Sequence, residues 1–146
     1  MPMIDVYAAT GTFADTHRLA TELATALKEV EQVPDIRMFR ENTAAFIHEL
    51  PAAAIANVNG ESDHVRVQVL TNAGALDRGK QLAAVSRLTA VIAEAAGDPG
   101  LAQRTWVMLT EAAEGGWGLW GHAHTNAELV QAARDEIARL TAGTGA

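Results

Sequence analysis

The stretch that decides the fold runs from Thr105 to Gly121 and reads Thr-Trp-Val-Met-Leu-Thr-Glu-Ala-Ala-Glu-Gly-Gly-Trp-Gly-Leu-Trp-Gly. Its first seven residues predict a β-strand, and the glycines that follow predict a hairpin carrying Trp117. Residues 43–60 repeat this order earlier in the chain, with a short apolar strand that reaches Glu49 and a glycine turn at Gly60. One plan therefore occurs twice.

Each copy of this plan also has an earlier strand and a helix. In the first copy, residues 3–9 predict a strand, and leucines at helical spacing predict a helix over residues 16–30. In the second copy, residues 64–70 alternate apolar and polar side chains, which is typical of a strand with one buried face. A helix follows over residues 77–96, with one apolar stripe composed of Leu82, Val85, Leu88 and Ile92.

These elements predict an α+β fold made of duplicated βαβ units. We expect a first unit over residues 1–60, a second over 61–124, and a C-terminal helix and tail over 125–146, opened by the capping box Thr125-x-x-Glu128. Each unit should pair its two strands in parallel, which gives a four-stranded mixed sheet with two helices on one face.

The other face of this sheet needs cover that the chain does not supply. Of the 146 residues 30 are alanine, so large apolar side chains for a second layer are scarce. We therefore expect an oligomer. A dimeric ferredoxin-like sandwich, as in antibiotic-monooxygenase domains, contains the same succession of elements and is the alternative fold.

Composition excludes several classes of partner. The formal net charge is −7, with 11 basic against 18 acidic residues and no basic cluster, so nucleic acid is not an expected partner. No apolar run approaches the roughly 18 residues of a membrane span. The chain has no cysteine and begins with an acidic rather than a basic segment, which together favour a cytoplasmic location.

The sequence also gives no reason to expect a cofactor or a metal. It has neither the Gly-x-Gly-x-x-Gly pattern after a strand nor a phosphate-binding Gly-Lys-Ser/Thr loop. His122 and His124 have the spacing of a chelating pair on an extended segment, but no third ligand is indicated nearby. We expect no cofactor and no metal.

The duplicated plan, a proline at the second position and the Gly-Trp117-Gly hairpin after Thr-Glu together resemble the tautomerase superfamily. The resemblance covers residues 2–124. It is nearest to the fused, two-unit members, such as the cis-3-chloroacrylic acid dehalogenase and malonate semialdehyde decarboxylase groups. This resemblance implies a homotrimer acting on a small-molecule substrate.

The resemblance implies that Pro2 is the catalytic residue after removal of Met1. A free α-amino group titrates near pH 8, and an apolar pocket disfavours its cation, so the amine can remove a proton from carbon next to a carbonyl. With its charge retained it would instead act as an acid, as in the dehalogenases. Trp117 would form the apolar wall beside this proline, or else be a core or interface tryptophan.

The sequence departs from the family where substrate arginines are expected. Asn72 and Ala75 stand where the dehalogenase-like members have two arginines after the third strand, and Trp106 replaces another. The groups that position water align with Met108 and Leu119. Four other arginines remain as candidate substitutes, each otherwise a solvated surface charge: Arg37, Arg40, Arg66 and Arg104.

The sequence thus predicts a tautomerase-like enzyme for a small carbonyl or enol compound. Its predicted substrate-binding residues are Asn72, Trp117 and His122, the last as a hydrogen-bond donor at the end of the hairpin. Dehalogenase or decarboxylase chemistry is a variant of this prediction. The alternative is a protein that keeps the scaffold and has lost the chemistry.

Overall fold

The computed structural model describes residues 1–144, so residues 145 and 146 of the predicted tail lie outside the described residues. The elements occur in the order β1 (Met3–Ala9), α1 (Thr16–Glu31), α2 (Arg37–Glu41), β2 (Ala44–Leu50), β3 (Ala56–Asn57), β4 (Gly60–Glu61), β5 (Val65–Thr71), α3 (Arg78–Ala96), β6 (Thr105–Glu111), β7 (Trp117–Leu119), β8 (His122–His124) and α4 (Asn126–Gly143). Short 3₁₀ turns cover Ala52–Ala54 and Pro99–Arg104. The predicted strands and long helices are confirmed.

The four long strands form one mixed sheet in the order β2-β1-β5-β6. β1 runs parallel to β2 and β5 runs parallel to β6, while β1 and β5 pair in antiparallel fashion. Each helical crossover therefore joins neighbouring strands. A ferredoxin-like sandwich has split βαβ units, so that alternative is wrong.

Local sequence signals set the helix ends. The side chains of Asp15 and Asp77 accept hydrogen bonds at 2.9 Å from the backbone N–H three residues on, which starts α1 and α3. Gly97 ends α3 with φ of 63°, a conformation that glycine adopts without a steric penalty. The capping box predicted at Thr125 and Glu128 is present at the start of α4. The five-residue helix α2 was not predicted.

The main core lies between one face of the sheet and the two long helices. Its fully buried centre is formed by aliphatic residues of β1, β5, α1 and α3, namely Ile4, Val6, Val65, Val67, Val69, Leu19, Leu23, Leu27, Leu88 and Ile92. The two hairpins, β3–β4 and β7–β8, are separate small sheets that follow the parallel strand pairs.

The predicted apolar stripe of α3 is partly wrong. Leu88 and Ile92 are buried as expected, but Leu82 is 56% exposed and Val85 is 37% exposed. At 100° per residue Leu82 lies about 120° around the helix from Leu88. The core therefore takes Ala84 with Leu88 and Ile92. On α4, Leu129 and Ala133 are buried, whereas Ile137 and Leu140 are exposed.

Within residues 1–144 no helix lies over the opposite face of the sheet, which we call the free face. It carries Asp5, Tyr7, Phe46, His48, Arg66, Gln68, Leu70, Trp106, Met108 and Thr110, whose neighbours along each strand face the core. Phe46, Trp106 and Met108 are 52%, 48% and 38% exposed. Large exposed apolar side chains among polar ones on an uncovered sheet face are typical of an interaction site. No helix within residues 1–144 is both long and apolar enough to cross a membrane.

The contrast between two leucines of α3 tests this placement of the core. Leu88→Ala leaves a cavity between α3 and the sheet and should lower the free energy of unfolding by about 2–5 kcal/mol. Leu82→Ala, the same change on the exposed side of the helix, should cost about 0.5 kcal/mol or less. Urea unfolding followed by circular dichroism measures both, and equal losses would show that the helix is packed otherwise.

Candidate functional site

The candidate site is a cavity of about 390 Å³ at the N-terminus, which we call the N-terminal cavity. Apart from Met1 itself, its lining comes from the end of α1 and the segment after it, Phe39 of α2, the loop after β5, the start of α3 and one side of α4. The lining residues are Met1, Glu31, Val33, Pro34, Phe39, Asn72, Ala75, Lys80, Asn126, Leu129, Val130, Ala133, Arg134 and Ile137. Apolar surface with a few converging polar groups is typical of a small-molecule site.

A larger opening of about 570 Å³ lies between α1 and the edge strand β2. It is lined by small helix residues and by surface charges such as Lys28 and Asp35, which pair with each other at 2.8 Å. Asp35 is well exposed, so its charge is screened by water. The N-terminal cavity has the buried charges, and it is therefore the better candidate.

The N-terminal cavity holds a buried ion pair. The Met1 nitrogen lies 3.2 Å from both carboxylate oxygens of Glu31, and each side chain is only 2% exposed. Pro2 is fully buried behind Met1, and its carbonyl oxygen accepts a hydrogen bond from the Ala44 N–H at 3.2 Å. The chain terminus is thus held at the cavity by both its backbone and its charge.

Burial acts on both members of this pair in the direction that disfavours charge. It lowers the pKa of the Met1 amine and raises the pKa of the Glu31 carboxyl, and the attraction between the two opposes both shifts. The nearby Lys80 ammonium also favours the ionised carboxylate. Each charge is therefore kept at this depth by the presence of the other.

Trp117 packs in the small core beside Met1. This second core contains Met1, Ile36, Met38, Trp117, Leu129 and Ala133, so it joins the N-terminus to α2, the β7–β8 hairpin and α4. Trp117 is 6% exposed, and its indole N–H has no hydrogen-bond partner within the described residues. The predicted apolar neighbour of the N-terminus is thus in contact with the same cluster as Met1, although it does not line the cavity itself.

Asn72 lies at the cavity, where the loop after β5 meets α4. Its side-chain amide donates a hydrogen bond to Asn126 Oδ1 at 3.0 Å, and the Asn126 amide donates to the Ala73 carbonyl at 2.7 Å. The Asn126 backbone N–H donates to Glu114 at 2.7 Å. This network holds the start of α4 against the loop, so α4 becomes a wall of the cavity.

The charges at the cavity differ from the sequence-based candidates. Lys80 and Arg134 line it, whereas the four arginines considered as substitutes do not. Arg37 pairs with Glu41, Arg40 with Asp35, and Arg104 with Asp63 and Asp98. Arg66 lies on the free face above the Tyr7 ring, 5.4 Å from its centroid.

The predicted donor His122 lies away from the cavity lining. Its ring is exposed on the β7–β8 hairpin, 3.3 Å from the Glu128 carboxylate. The backbone N–H of Thr125, which donates to the Glu128 carboxylate, lowers the pKa of Glu128, and the His122 contact adds to this effect. The neighbouring His124 is buried, with the two rings 4.7 Å apart at a steep angle. Among residues 1–144 no three His, Asp or Glu side chains gather into a metal-binding group.

Sequence reasoning missed Glu31, Lys80, Asn126 and Arg134. A signal for two of them was present, because their charges have the wrong sign for their helix ends. Glu31 is the last residue of α1 and Lys80 lies in the first turn of α3, where the helix dipole disfavours an anion and a cation respectively. The Lys80 ammonium donates at 2.9 Å to the Glu31 carbonyl, so it stabilises the end of α1 instead.

No family model and no curated protein matches this sequence. Solved structures do match its fold. A fused 4-OT named F6, described as a wild-type asymmetric trimer, superposes with a TM-score of 0.71 at 21% identity, over 87% of this chain and 98% of that one. N1, a member of the cis-3-chloroacrylic acid dehalogenase family, gives 0.70 at 16% identity over 88% and 89%.

A macrophage migration inhibitory factor-like protein from Entamoeba histolytica is also similar, with a TM-score of 0.63 at 17% identity, over 85% of this chain and 96% of that one. These likenesses, at low identity, concern the fold. The chain has the fold of these solved structures, which is the fold that the sequence predicted.

The Asn72–Asn126 network can be tested by deleting one side chain. Asn126→Ala leaves the amide of Asn72 and the carbonyl of Ala73 without their partner, which should lower the free energy of unfolding by about 1–3 kcal/mol. It should also speed hydrogen exchange in the first turn of α4. Gln131→Ala on the same helix, which removes only an exposed bond to Asp135, is the control. Equal effects of the two changes would contradict the network.

Proposed function

We propose that the chain, once Met1 is removed, is a tautomerase-like enzyme that uses the Pro2 amine for proton transfer on a small carbonyl or enol substrate. The observation that carries this proposal is the position of the N-terminus, which ends buried at an apolar cavity rather than in solvent. Loss of Met1 would turn the Pro2 nitrogen from an amide into a secondary amine at that place. It would also vacate the volume that the Met1 side chain fills.

In the proposed reaction the neutral Pro2 amine accepts a proton from the carbon next to the substrate carbonyl. The electron pair of the broken C–H bond forms the enolate, whose oxygen gains negative charge. The Pro2 ammonium then gives the proton to the enolate oxygen; in the reverse, enol-to-keto direction the amine takes the hydroxyl proton and the ammonium delivers it to carbon, so the overall change is an isomerisation that needs no cofactor. The amine is regenerated in the same step.

The cavity offers groups suited to a substrate that carries negative charge during the reaction. Lys80 and Arg134 supply cationic donors, and the Asn72 amide lies between the loop after β5 and α4. We propose that Asn72 binds the substrate and that Trp117 keeps the site apolar from behind Met1. His122 remains a predicted substrate contact, although the structure places it outside the cavity lining.

We further propose that three copies of the chain assemble through their free faces in the cytoplasm. The fused 4-OT with the same fold is described as a trimer, and the exposed aromatic and aliphatic side chains of this face support burial against other copies. Dehalogenase or decarboxylase chemistry would need the Pro2 amine as a proton donor rather than a base.

The second candidate function is a scaffold without catalysis. It is favoured by the Met1–Glu31 pair, because a chain that keeps Met1 closes its own cavity with the Met1 side chain. The replacement of the expected arginines by Asn72 and Ala75 points the same way. Removal of Met1 is therefore what distinguishes the two candidates.

Substitution of the proline tests the proposed enzyme. In protein lacking Met1, Pro2→Ala should lower turnover of an enol such as phenylenolpyruvate by about 100-fold, because the primary amine that replaces the proline amine is no longer held in position by a ring. Pro51→Ala, which changes an exposed proline after β2, should leave turnover unchanged. The enol-to-keto conversion is followed by its loss of absorbance. Unchanged turnover in the Pro2 variant would refute Pro2 catalysis.

Light scattering tests the proposed assembly. The native protein should have three times the chain mass of 15.4 kDa. Met108→Asp, which puts a charge on the free face, should give the mass of a single chain, whereas Leu82→Asp on the helical side should leave the trimer intact. A monomeric native protein, or dissociation by the Leu82 change alone, would place the interface elsewhere.

A further inference from the structure

We propose that Glu31 is the positioning residue of the site, and that its carboxylate becomes the counter-ion of the Pro2 amine when Met1 is removed. This inference rests on the proposed function, because it assumes that the Pro2 amine is free. It gives a role to a buried acid at the end of α1 that no fold requirement explains.

Glu31 is buried at the N-terminal cavity. Its side chain is 2% exposed, and both carboxylate oxygens are directed at the N-terminal nitrogen, 3.2 Å away. A buried carboxylate is costly unless a cation and hydrogen-bond donors compensate it. With Met1 present, the terminal ammonium is that cation.

When Met1 is absent, the Pro2 nitrogen becomes the chain terminus close to the Glu31 carboxylate. The Pro2 nitrogen is three covalent bonds from the Met1 nitrogen, about 3–4 Å from it, and therefore within about 7 Å of the Glu31 carboxylate. Pro2 is held in place because its carbonyl accepts the hydrogen bond from Ala44. The new terminal amine then appears at the wall of the space that Met1 leaves, facing a carboxylate that has lost its partner.

Charged groups of both signs line the cavity around that amine. The other charged groups at the cavity are Lys80 on α3 and Arg134 on α4, and both oppose the protonated amine. The apolar lining opposes it as well. Glu31 is the one anion among the cavity-lining residues, so it alone favours the ammonium form. Its presence therefore determines whether Pro2 gives or accepts a proton at neutral pH.

The experiment measures protonation of the amine directly. Protein lacking Met1 is labelled with ¹⁵N-proline, and the chemical shift of the Pro2 nitrogen is followed against pH in the native chain and in two variants of Glu31. Glu31→Gln should lower the midpoint of the titration by about 1–3 pH units, the effect of removing an opposite charge at close range. Glu31→Asp, which keeps the charge, should return the midpoint most of the way to its native value.

The matched control is Glu29→Gln. Glu29 lies two residues earlier on α1, is half-exposed, and pairs with Arg87 at the surface. Its loss should leave the midpoint where the native chain has it. A midpoint that stays unchanged in Glu31→Gln would overturn the role of Glu31. An equal shift of the midpoint in Glu31→Gln and Glu29→Gln would overturn it as well.

A measurement on the native chain keeps the inference testable even if the Glu31 variants do not fold. The ¹³C shift of the Glu31 carboxyl should show its own protonation step at lower pH and a second, smaller step at the midpoint of the Pro2 amine, because each group of a coupled pair senses the charge of the other. A Glu31 shift with no step at the Pro2 midpoint would overturn the inference. None of these readings depends on turnover, so an inactive protein would count against the proposed function alone. In an active protein, the kcat/KM profile should move with the Pro2 midpoint.

Discussion

The central position of β1 in the sheet is the constraint on which the rest of the structure depends. β1 begins at Met3 and is hydrogen-bonded to β2 on one side and β5 on the other, so both βαβ units are joined along it. Because the strand starts so near the first residue, the N-terminus cannot move away from the sheet. The backbone bond from Ala44 to Pro2 extends the pairing by one more residue. A terminal amine held by a central strand has a fixed position, which a group on a flexible tail lacks.

Within a single chain the N-terminus is covered, but the free face of the sheet is not. At the start of β1, the N-terminus is enclosed by α4, which the Asn126 network holds against the loop after β5. The face opposite the long helices receives no such cover, and its Phe46, Trp106 and Met108 are exposed. The C-terminal helix thus completes the cavity and not the sheet. Assembly of several copies would complete the sheet, and this is the physical basis of the proposed trimer.

Sequence patterns predicted the fold well because its signals are local. The alternation in β5 and the capping box of α4 each act over a few residues, and each is where the sequence placed it. The stripe of α3 was partly wrong because helical spacing gives a face without saying what packs on it, and Leu82 faces away from the sheet. Helix α2 has five residues, too few for a periodic signal.

The candidate site was predicted only in part, because the contacts that form it are not local in sequence. Pro2, Asn72 and Trp117 came from a resemblance that spans the chain, and the structure brings Asn72 and Met1 to one cavity with Trp117 packed behind it. Glu31, Lys80 and Arg134 meet there from three helices far apart in sequence, and charged helix residues normally predict a solvated surface. Their convergence depends on the tertiary fold.

The central claim is that the working protein begins at Pro2, and the most direct test is the intact mass of the protein isolated from its native host. The account predicts a mass lower by one methionine residue than that of the full sequence, so that the proline amine is free at the cavity. A mass that includes Met1 in the native protein would contradict it, because the nitrogen of Pro2 would then be an amide that can neither accept nor donate the proton.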